Sequence, residues 1–320
     1  MITPDEIIGD FIVIPLESLR LESILDFSLY VKYKGKIVLY RSGHLPFTAK
    51  EKERLLENKV DKIYINSLDQ NKYFLYLEKN LSEIVKDQNI PTEKKAEVVY
   101  NTSKKLMIDV LEDPRSGKNI ERSKDLINNT LEFILTDKTS FKHILEITSF
   151  DYYTYTHSVN VSMFAIALGE RIGKYDRKTL YELGLGALLH DVGKSKIDDA
   201  IINKKGPLTS EEFNEIKKHP IYGEEILKET DLIPRRSYLA VRQHHEKING
   251  TGYPDGLKNG EIDEFGRITC IADVFDALTT KRSYKDALPS FPALKIMKEM
   301  DNAFDEYLFN EFVLLLGEKE

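Results

Sequence analysis

Leu183-Gly184-Leu185-Gly186-Ala187-Leu188-Leu189-His190-Asp191-Val192-Gly193-Lys194 is the stretch from which the rest of the chain is read. Its first seven residues are apolar or small and read as the last turns of a buried helix. That helix delivers an imidazole and a carboxylate side by side, followed by a glycine and a lysine. A carboxylate has two oxygens and can bridge two cations. Such a pair, about 3.5–4 Å apart, clamps a phosphate and generates a hydroxide nucleophile near neutral pH. A His-Asp dipeptide also occurs by chance, so its surroundings decide.

Five of the seven histidines lie between His157 and His245. His244-His245-Glu246 places two consecutive imidazoles at a helix end, where they diverge by roughly 100° and meet one metal only on a well-fixed backbone. His157 and His219, the latter before Pro220, extend the set. Asp273 sits inside Ile271-Ala272-Asp273-Val274-Phe275, where a buried carboxylate without a cation is costly. On an exposed helix face it would need no partner. Mixed imidazole and carboxylate ligation suits iron, manganese, nickel or zinc better than calcium. In Gly250-Thr251-Gly252-Tyr253-Pro254 two glycines let the backbone approach a ligand, although the same residues also spell an ordinary turn. Lys281-Arg282-Ser283-Tyr284-Lys285 offers a guanidinium and two ammonium groups suited to phosphate oxygens; the alternative is a solvated helix end.

Toward the N-terminus the pattern changes. Asp26 to Tyr33 alternates with period two and Lys36 to Tyr40 follows a Lys34-Gly35 turn, which predicts a β-hairpin. A helical stretch from Thr48 to Asn58 and a short strand, Lys62-Ile63-Tyr64-Ile65, complete a small α+β module. From about residue 71 the spacing is helical, as in Tyr73-Tyr76-Leu77-Leu81-Ile84. The boundary falls at Asp87 to Thr92, with Thr92 a candidate cap. Further helices are predicted over Glu93 to Leu111, Ser123 to Leu135 and Tyr155 to Ile172, with a turn at Asp113 to Gly117. The second part therefore reads as all-α.

The chain has 320 residues, 41% hydrophobic and 31% charged, with 11 prolines and 17 glycines, a balance that excludes a disordered chain. Cys270 is the single cysteine and has no intramolecular partner, so a reducing compartment, the cytoplasm, is expected. Nothing resembles a signal peptide or a membrane span. A net charge of −7 argues against a DNA binder but not against a small anionic ligand.

Taken in order, His190-Asp191-Val192-Gly193-Lys194, Gly206-Pro207-Leu208-Thr209, His219-Pro220, His244 to Pro254, Asp273 and Arg282-Ser283-Tyr284-Lys285 resemble the HD-GYP family of bacterial phosphodiesterases. This is a branch of the HD superfamily of metal-dependent phosphohydrolases, and the likeness covers roughly residues 150 to 305. The resemblance implies hydrolysis of cyclic di-GMP, or in some members cyclic GMP-AMP, to a linear dinucleotide such as pGpG, with onward cleavage to GMP open.

Carried over by position, one metal takes His157, His190, Asp191 and Asp273. The second takes the bridging Asp191 with His219, His244 and His245. A hydroxide bridging the two attacks phosphorus, and Asp191 and Lys194 form the catalytic pair. Lys194, Arg282 and Lys285 hold substrate phosphates, with Tyr253 and Tyr284 in the same pocket, and Glu246 and Asp276 stand behind the imidazoles. Some members hold a third metal through a Glu four residues before the first His. Tyr153 stands there, which predicts a binuclear site, with iron or manganese ahead of nickel or zinc. Asn249 replaces an Asp common in the family loop.

The expected architecture is α+β overall, a small N-terminal α+β domain over residues 1–90 followed by an all-α HD-GYP helical bundle over 91–320. The first resembles, weakly, the small regulatory or scaffolding domain that often precedes such enzymes. Expected partners are cyclic di-GMP and, through the Gly252-Tyr253-Pro254 loop, GGDEF-type signalling proteins, with a homodimer allowed. The competing readings are a cyclic dinucleotide receptor that does not cleave, and a general HD nucleotidase.

Overall fold

The structure, a computed structural model, describes residues 7–60, 62–148, 154–204, 206–281 and 286–317. The chain divides into two compact units, Met1–Lys105 and Leu106–Glu320.

The first unit is built on five strands, β1 (Ile7–Ile8), β2 (Phe11–Pro15), β3 (Leu29–Tyr33), β4 (Lys36–Arg41) and β5 (Lys62–Asn66), in the order β1-β2-β5-β3-β4. All neighbouring pairs are antiparallel. The predicted hairpin is β3–β4, and its two turn residues, Lys34 and Gly35, have φ of 47° and 81°. Those values match the backbone twist a two-residue hairpin needs. Helix α1 (Ala49–Glu57) starts where Thr48 and Glu51 cap it reciprocally. Helix α2 (Gln70–Lys86) buries Tyr73, Tyr76, Leu77, Leu81 and Ile84, and Phe27 meets the rings of Tyr73 and Tyr76 edge-on at 5.8 and 5.6 Å. Strand β2 was not among the sequence expectations. Phe11-Ile12-Val13-Ile14-Pro15 is apolar throughout and hides its alternation, although only Ile12 and Ile14 of its alternating positions are buried.

Helix α3 (Thr92–Glu112) takes in Thr92 itself, and the division between units falls within it. Eleven more helices follow among the described residues: α4 (Gly117–Thr136), α5 (Ser140–Ile147), α6 (Thr154–Ile172), α7 (Arg177–Leu188), α8 (Asp199–Ile202), α9 (Ser210–Ile216), α10 (His219–Thr230), α11 (Ser237–Gln243), α12 (Glu264–Thr279), α13 (Ser290–Lys298) and α14 (Glu306–Gly317). Apart from one isolated bridge, Asn249 with Lys258, the described part of this unit is free of strand pairing. Helix α4 begins six residues before the predicted start because Ser116 accepts a hydrogen bond from the Asn119 amide and caps it.

Helix α6 is buried from Thr156 to Gly169 and forms the axis of the unit. It packs against α7 and α12. Gly184 lets α7 come close, since a Cβ there would sit 2.6 Å from the Ile166 side chain. On the far side Phe164, Phe275 and Phe312 meet edge-on with centroids 5.1 to 6.2 Å apart. Each fully buried ring contributes about 1.5–3 kcal/mol relative to exposure. This core holds the helix ends that carry the polar cluster.

Candidate metal centre

Five elements of the backbone bring the histidines and aspartates together. Helix α7 ends at Leu188, and His190 and Asp191 follow in a turn that tightens into a 3-10 segment over Val192–Lys196. His219 opens α10, His244 closes α11 with His245 next, and α12 presents Asp273. His157 lies in the first turn of α6. Gly193 is what allows the turn to lie against α10. A Cβ there would sit 1.9 Å from the His219 carbonyl oxygen and 2.4 Å from the Gly223 amide nitrogen.

Asp191 occupies the centre, 1% exposed. Its Oδ2 faces the Nε2 atoms of His157 and His190 at 3.7 and 3.5 Å. Its Oδ1 faces those of His219 and His244 at 3.3 and 4.0 Å. The two oxygens thus look into two different imidazole pairs. Asp273 places Oδ1 3.1 Å from His157 Nε2 and Oδ2 3.4 Å from His245 Nδ1. Two groups with converging ligand atoms result, His157 with His190 and Asp191, and His219 with His244 and His245.

The imidazoles are held from behind. His190, His219 and His244 donate Nδ1–H to the carbonyls of Ala187, Ile216 and Val241 at 2.7, 2.7 and 2.8 Å. These carbonyls lie at the ends of α7, α9 and α11, where a helix leaves its last oxygens without intrahelical donors. His157, in the first turn of its helix, donates Nδ1–H to Asp276 Oδ2 at 2.7 Å instead. In all four rings the proton on Nδ1 leaves Nε2 as a lone pair.

Those lone pairs face one another, His157 to His190 at 3.3 Å and His219 to His244 at 3.0 Å. Two acceptors at that distance repel. Nitrogens about 2.0–2.1 Å from one metal, at angles from square to tetrahedral, lie roughly 3.0–3.4 Å apart. Asp191 Oδ1 is moreover buried with no hydrogen-bond donor, since the imidazoles facing it have none to give. The residues therefore fit divalent cations, and the donor set is one for transition metals.

Electrostatics agree. Burial lowers the basicity of His190 and His244, and that of His245 falls to a pKa of about 3. Burial alone would push the Asp191 carboxyl up, but the Lys194 ammonium holds it well below its usual range. Lys194 Nζ lies 2.5 Å from Asp191 Oδ2.

The Gly-Tyr-Pro loop is tied to the same helix end. Gly252 packs onto the backbone of residues 245–247, where a Cβ would come within 2.4 Å of the Lys247 nitrogen. The Tyr253 ring lies 4.6 Å from that of His245, tilted by 33°. Burial and the two aspartates raise its phenol pKa. Asn249 accepts from the Thr251 amide at 3.0 Å and donates to the Asp301 carbonyl at 2.7 Å, a structural use of that position.

Glu246 does not orient an imidazole. Its carboxylate accepts the amides of Asp255, Gly256 and Leu257 at 2.7, 3.1 and 2.9 Å and fixes the loop exit. Arg242 adds a two-pronged contact to Asp255, both N–H···O distances 2.7 Å. Asn160 and Thr280 had no place in the sequence reading, yet both donate to Asp276 Oδ1, at 2.6 and 3.0 Å. The signal was available, a buried polar residue three positions after His157 and another four after Asp276. Arg282, Tyr284, Lys285 and Tyr153 lie outside the described residues.

A family model described as HD domain matches residues 124–308. "Cyclic di-GMP phosphodiesterase PA4108" of Pseudomonas aeruginosa is 33% identical over 224 residues, 69% of this chain and 54% of that protein. "3'3'-cGAMP-specific phosphodiesterase 3" of Vibrio cholerae is 36% identical over 53% of this chain and 36% of its own length. The chain thus spans about half or less of the curated relatives it matches first. Among solved structures, Bd1817, described as an HDG"Y"P protein from Bdellovibrio bacteriovorus, is similar with a TM-score of 0.66 and 26% identity, over 97% of this chain and 100% of that one. No described helix is long and apolar enough to cross a membrane. With the family match spanning more than half of the sequence and the HD and Gly-Tyr-Pro motifs in place, the chain belongs to the HD domain family, in its HD-GYP branch.

Proposed function

We propose that this chain is a metal-dependent phosphodiesterase that opens cyclic di-GMP to linear pGpG at a two-metal site, with iron or manganese as the metals. The observation that carries the reading is the two-sided placement of Asp191, with Oδ2 toward His157 and His190 and Oδ1 toward His219 and His244. The names of the similar proteins, cyclic di-GMP and cyclic GMP-AMP phosphodiesterases, support the substrate class. Divalent cations bound there supply Lewis acidity toward phosphoryl oxygens and bring the pKa of water toward neutrality.

The chain's own groups do the rest. Neutral imidazoles keep their lone pairs across the physiological range because burial disfavours their protonated forms. Lys194 is within reach of Asp191 and partly exposed, so its ammonium can turn to a phosphate oxygen and stabilise charge that develops there. The Tyr253 phenol stays protonated and can donate a hydrogen bond to a substrate oxygen without adding charge. Arg282, Tyr284 and Lys285 complete the phosphate contacts in this reading, and the N-terminal domain serves regulation or scaffolding.

Incubating manganese- or anaerobically iron-loaded protein with cyclic di-GMP tests the proposal. Linear pGpG should accumulate, and Asp191→Ala should abolish it. No product with either metal would refute the reading; tight binding without turnover would replace the enzyme by a receptor.

A further inference from the structure

Three of the four imidazoles whose Nε2 atoms converge on Asp191 are backed by neutral main-chain carbonyls, and His157 is backed by a carboxylate. That carboxylate, Asp276, is 1% exposed and itself fixed, with Asn160 Nδ2 and Thr280 Oγ1 donating to the oxygen that His157 does not use. Each contact constrains the others. The two donors on Oδ1 orient the carboxyl so that Oδ2 points at Nδ1, which sets the tautomer and aims Nε2 at Asp191.

The consequence concerns the two halves of the cluster. Asp191 is shared between them through its two oxygens, and Asp273 touches His157 with Oδ1 and His245 with Oδ2. Neither aspartate distinguishes one half from the other. Asp276 does, because it contacts His157 alone among the site histidines of the described residues. Among the described residues the half formed by His157 and His190 therefore has one more negative charge at close range, and one of its imidazoles is polarised by an anion. Among the described residues the opposing charge on that side is the Lys194 ammonium on Asp191 Oδ2, carried on a side chain whose exposure is 22%.

We infer that Asp276 is a positioning residue that makes the two halves unequal, so that the His157–His190 half takes up a divalent cation first and more tightly. This rests on the two-metal reading above and adds an order of loading to it. Replacing Asp276 by asparagine leaves no good arrangement. If the amide oxygen faces His157, its NH2 group opposes the Asn160 donor. If the NH2 group faces His157, the imidazole must shift its proton to Nε2 and lose the lone pair that points into the cluster.

The experiment is manganese titration of metal-free full-length protein, followed by calorimetry and by the electron paramagnetic resonance signal of unbound Mn2+. Wild type should bind in two resolved steps. With His219→Asn/His244→Asn leaving only the His157 half, adding Asp276→Asn should weaken binding by about 10–100-fold, as loss of a partner behind a ligating imidazole does. With His157→Asn/His190→Asn leaving only the other half, Asp276→Asn should change nothing. Equal affinity with and without Asp276 in the first background overturns the inference, as does an equal loss in the second. Failure of wild type to bind two metals instead refutes the two-metal reading. Circular dichroism checks the fold of each variant. Should Asp276→Asn unfold, Thr280→Val, which keeps the carboxylate and removes one donor behind it, must weaken the first step and spare the second; no change there overturns the inference.

Discussion

Gly193→Ala is the sharpest single perturbation of this site, because it changes no ligand and adds one methyl group. An ideal Cβ at that position meets the His219 carbonyl oxygen at 1.9 Å, the Gly223 nitrogen at 2.4 Å and the His219 carbonyl carbon at 2.9 Å, all of them backbone. An ordinary contact needs about 3.4 Å or more, so the start of α10 must retreat by roughly 1.5 Å or the His190–Lys194 turn must rise by the same amount. The first motion parts His219 Nε2 from both His244 Nε2 and Asp191 Oδ1, now 3.0 and 3.3 Å away, and the second parts it from Asp191 Oδ1. Overpacking of this kind costs about 1–3 kcal/mol, equivalent to a fall of about 2–12 °C in Tm for a unit of this size. The functional loss should be larger, since a displacement of about 1 Å at a reacting centre costs on the order of 100-fold. The assay pairs thermal melting with metal content by plasma emission and with cyclic di-GMP turnover. A folded variant should lose close to half of its bound metal and about 100-fold in kcat. A Gly193→Ala protein that melts like wild type, keeps its metal and turns over normally would refute the packing argument.

Glu246→Ala removes the acceptor of three amides, two of them on the exposed residues Asp255 and Gly256, and should cost about 0.5–1.5 kcal/mol per lost hydrogen bond as water takes its place. Hydrogen exchange at Asp255, Gly256 and Leu257 should accelerate with metal content unchanged, and unchanged exchange would show that other contacts hold the loop. Phe275→Ala removes the ring shared by Phe164 and Phe312 and should cost about 3–5 kcal/mol in denaturant unfolding; a loss below about 1 kcal/mol would place the core elsewhere. Metal-free protein should lose stability on acidification. His245 has a pKa of about 3 when folded, and burial also depresses His190 and His244. The unfolded chain, with histidines near pKa 6.5, therefore binds more protons below that pH. Stability is complete above about pH 6.5 and falls below it, by up to about 1.4 kcal/mol per pH unit for each histidine. Unfolding curves of chelated protein between pH 7.5 and 5 measure the slope, and a flat profile would mean the imidazoles are not held neutral.

The site was legible in the sequence because its elements are stereochemically obligate. A helix that is apolar on all sides announces its own end when a His-Asp pair appears, and Asp273 stood out as a carboxylate in an apolar run. The hairpin was legible for a similar reason, since Lys34-Gly35 has few uses other than a tight turn. Strand β2 was hidden because Phe11 to Pro15 carries no polar residue to mark its alternation. The short helices α8 to α10 were hidden because four to twelve residues offer too few turns for a period to register. Glu246 was misread since adjacency to His245 suggested an orienting role, and only the chain's return at residues 255–257 reveals three amides converging on it. Sequence spacing shows which residues share a helix face, and says little about which loop comes back to meet them.

The short helices are also the reason the cluster is rigid. A long helix leaves orphan carbonyls only at its distant end, so ligands in mid-helix need side-chain partners that must themselves be buried and satisfied. By ending α7, α9 and α11 at the cluster, the fold brings three sets of terminal carbonyls to it, and each fixes an imidazole with no further buried charge. The arrangement solves two problems with one bond, since the carbonyl gains a donor and the ring gains a tautomer. His157 stands outside this scheme because α6 begins at the site and continues as the central helix of the core. There the fold requires Asp276, and Asp276 requires Asn160 and Thr280. The chain's one side-chain carboxylate behind a site imidazole among the described residues thus follows from helix direction, and any asymmetry between the two halves of the cluster has its origin there.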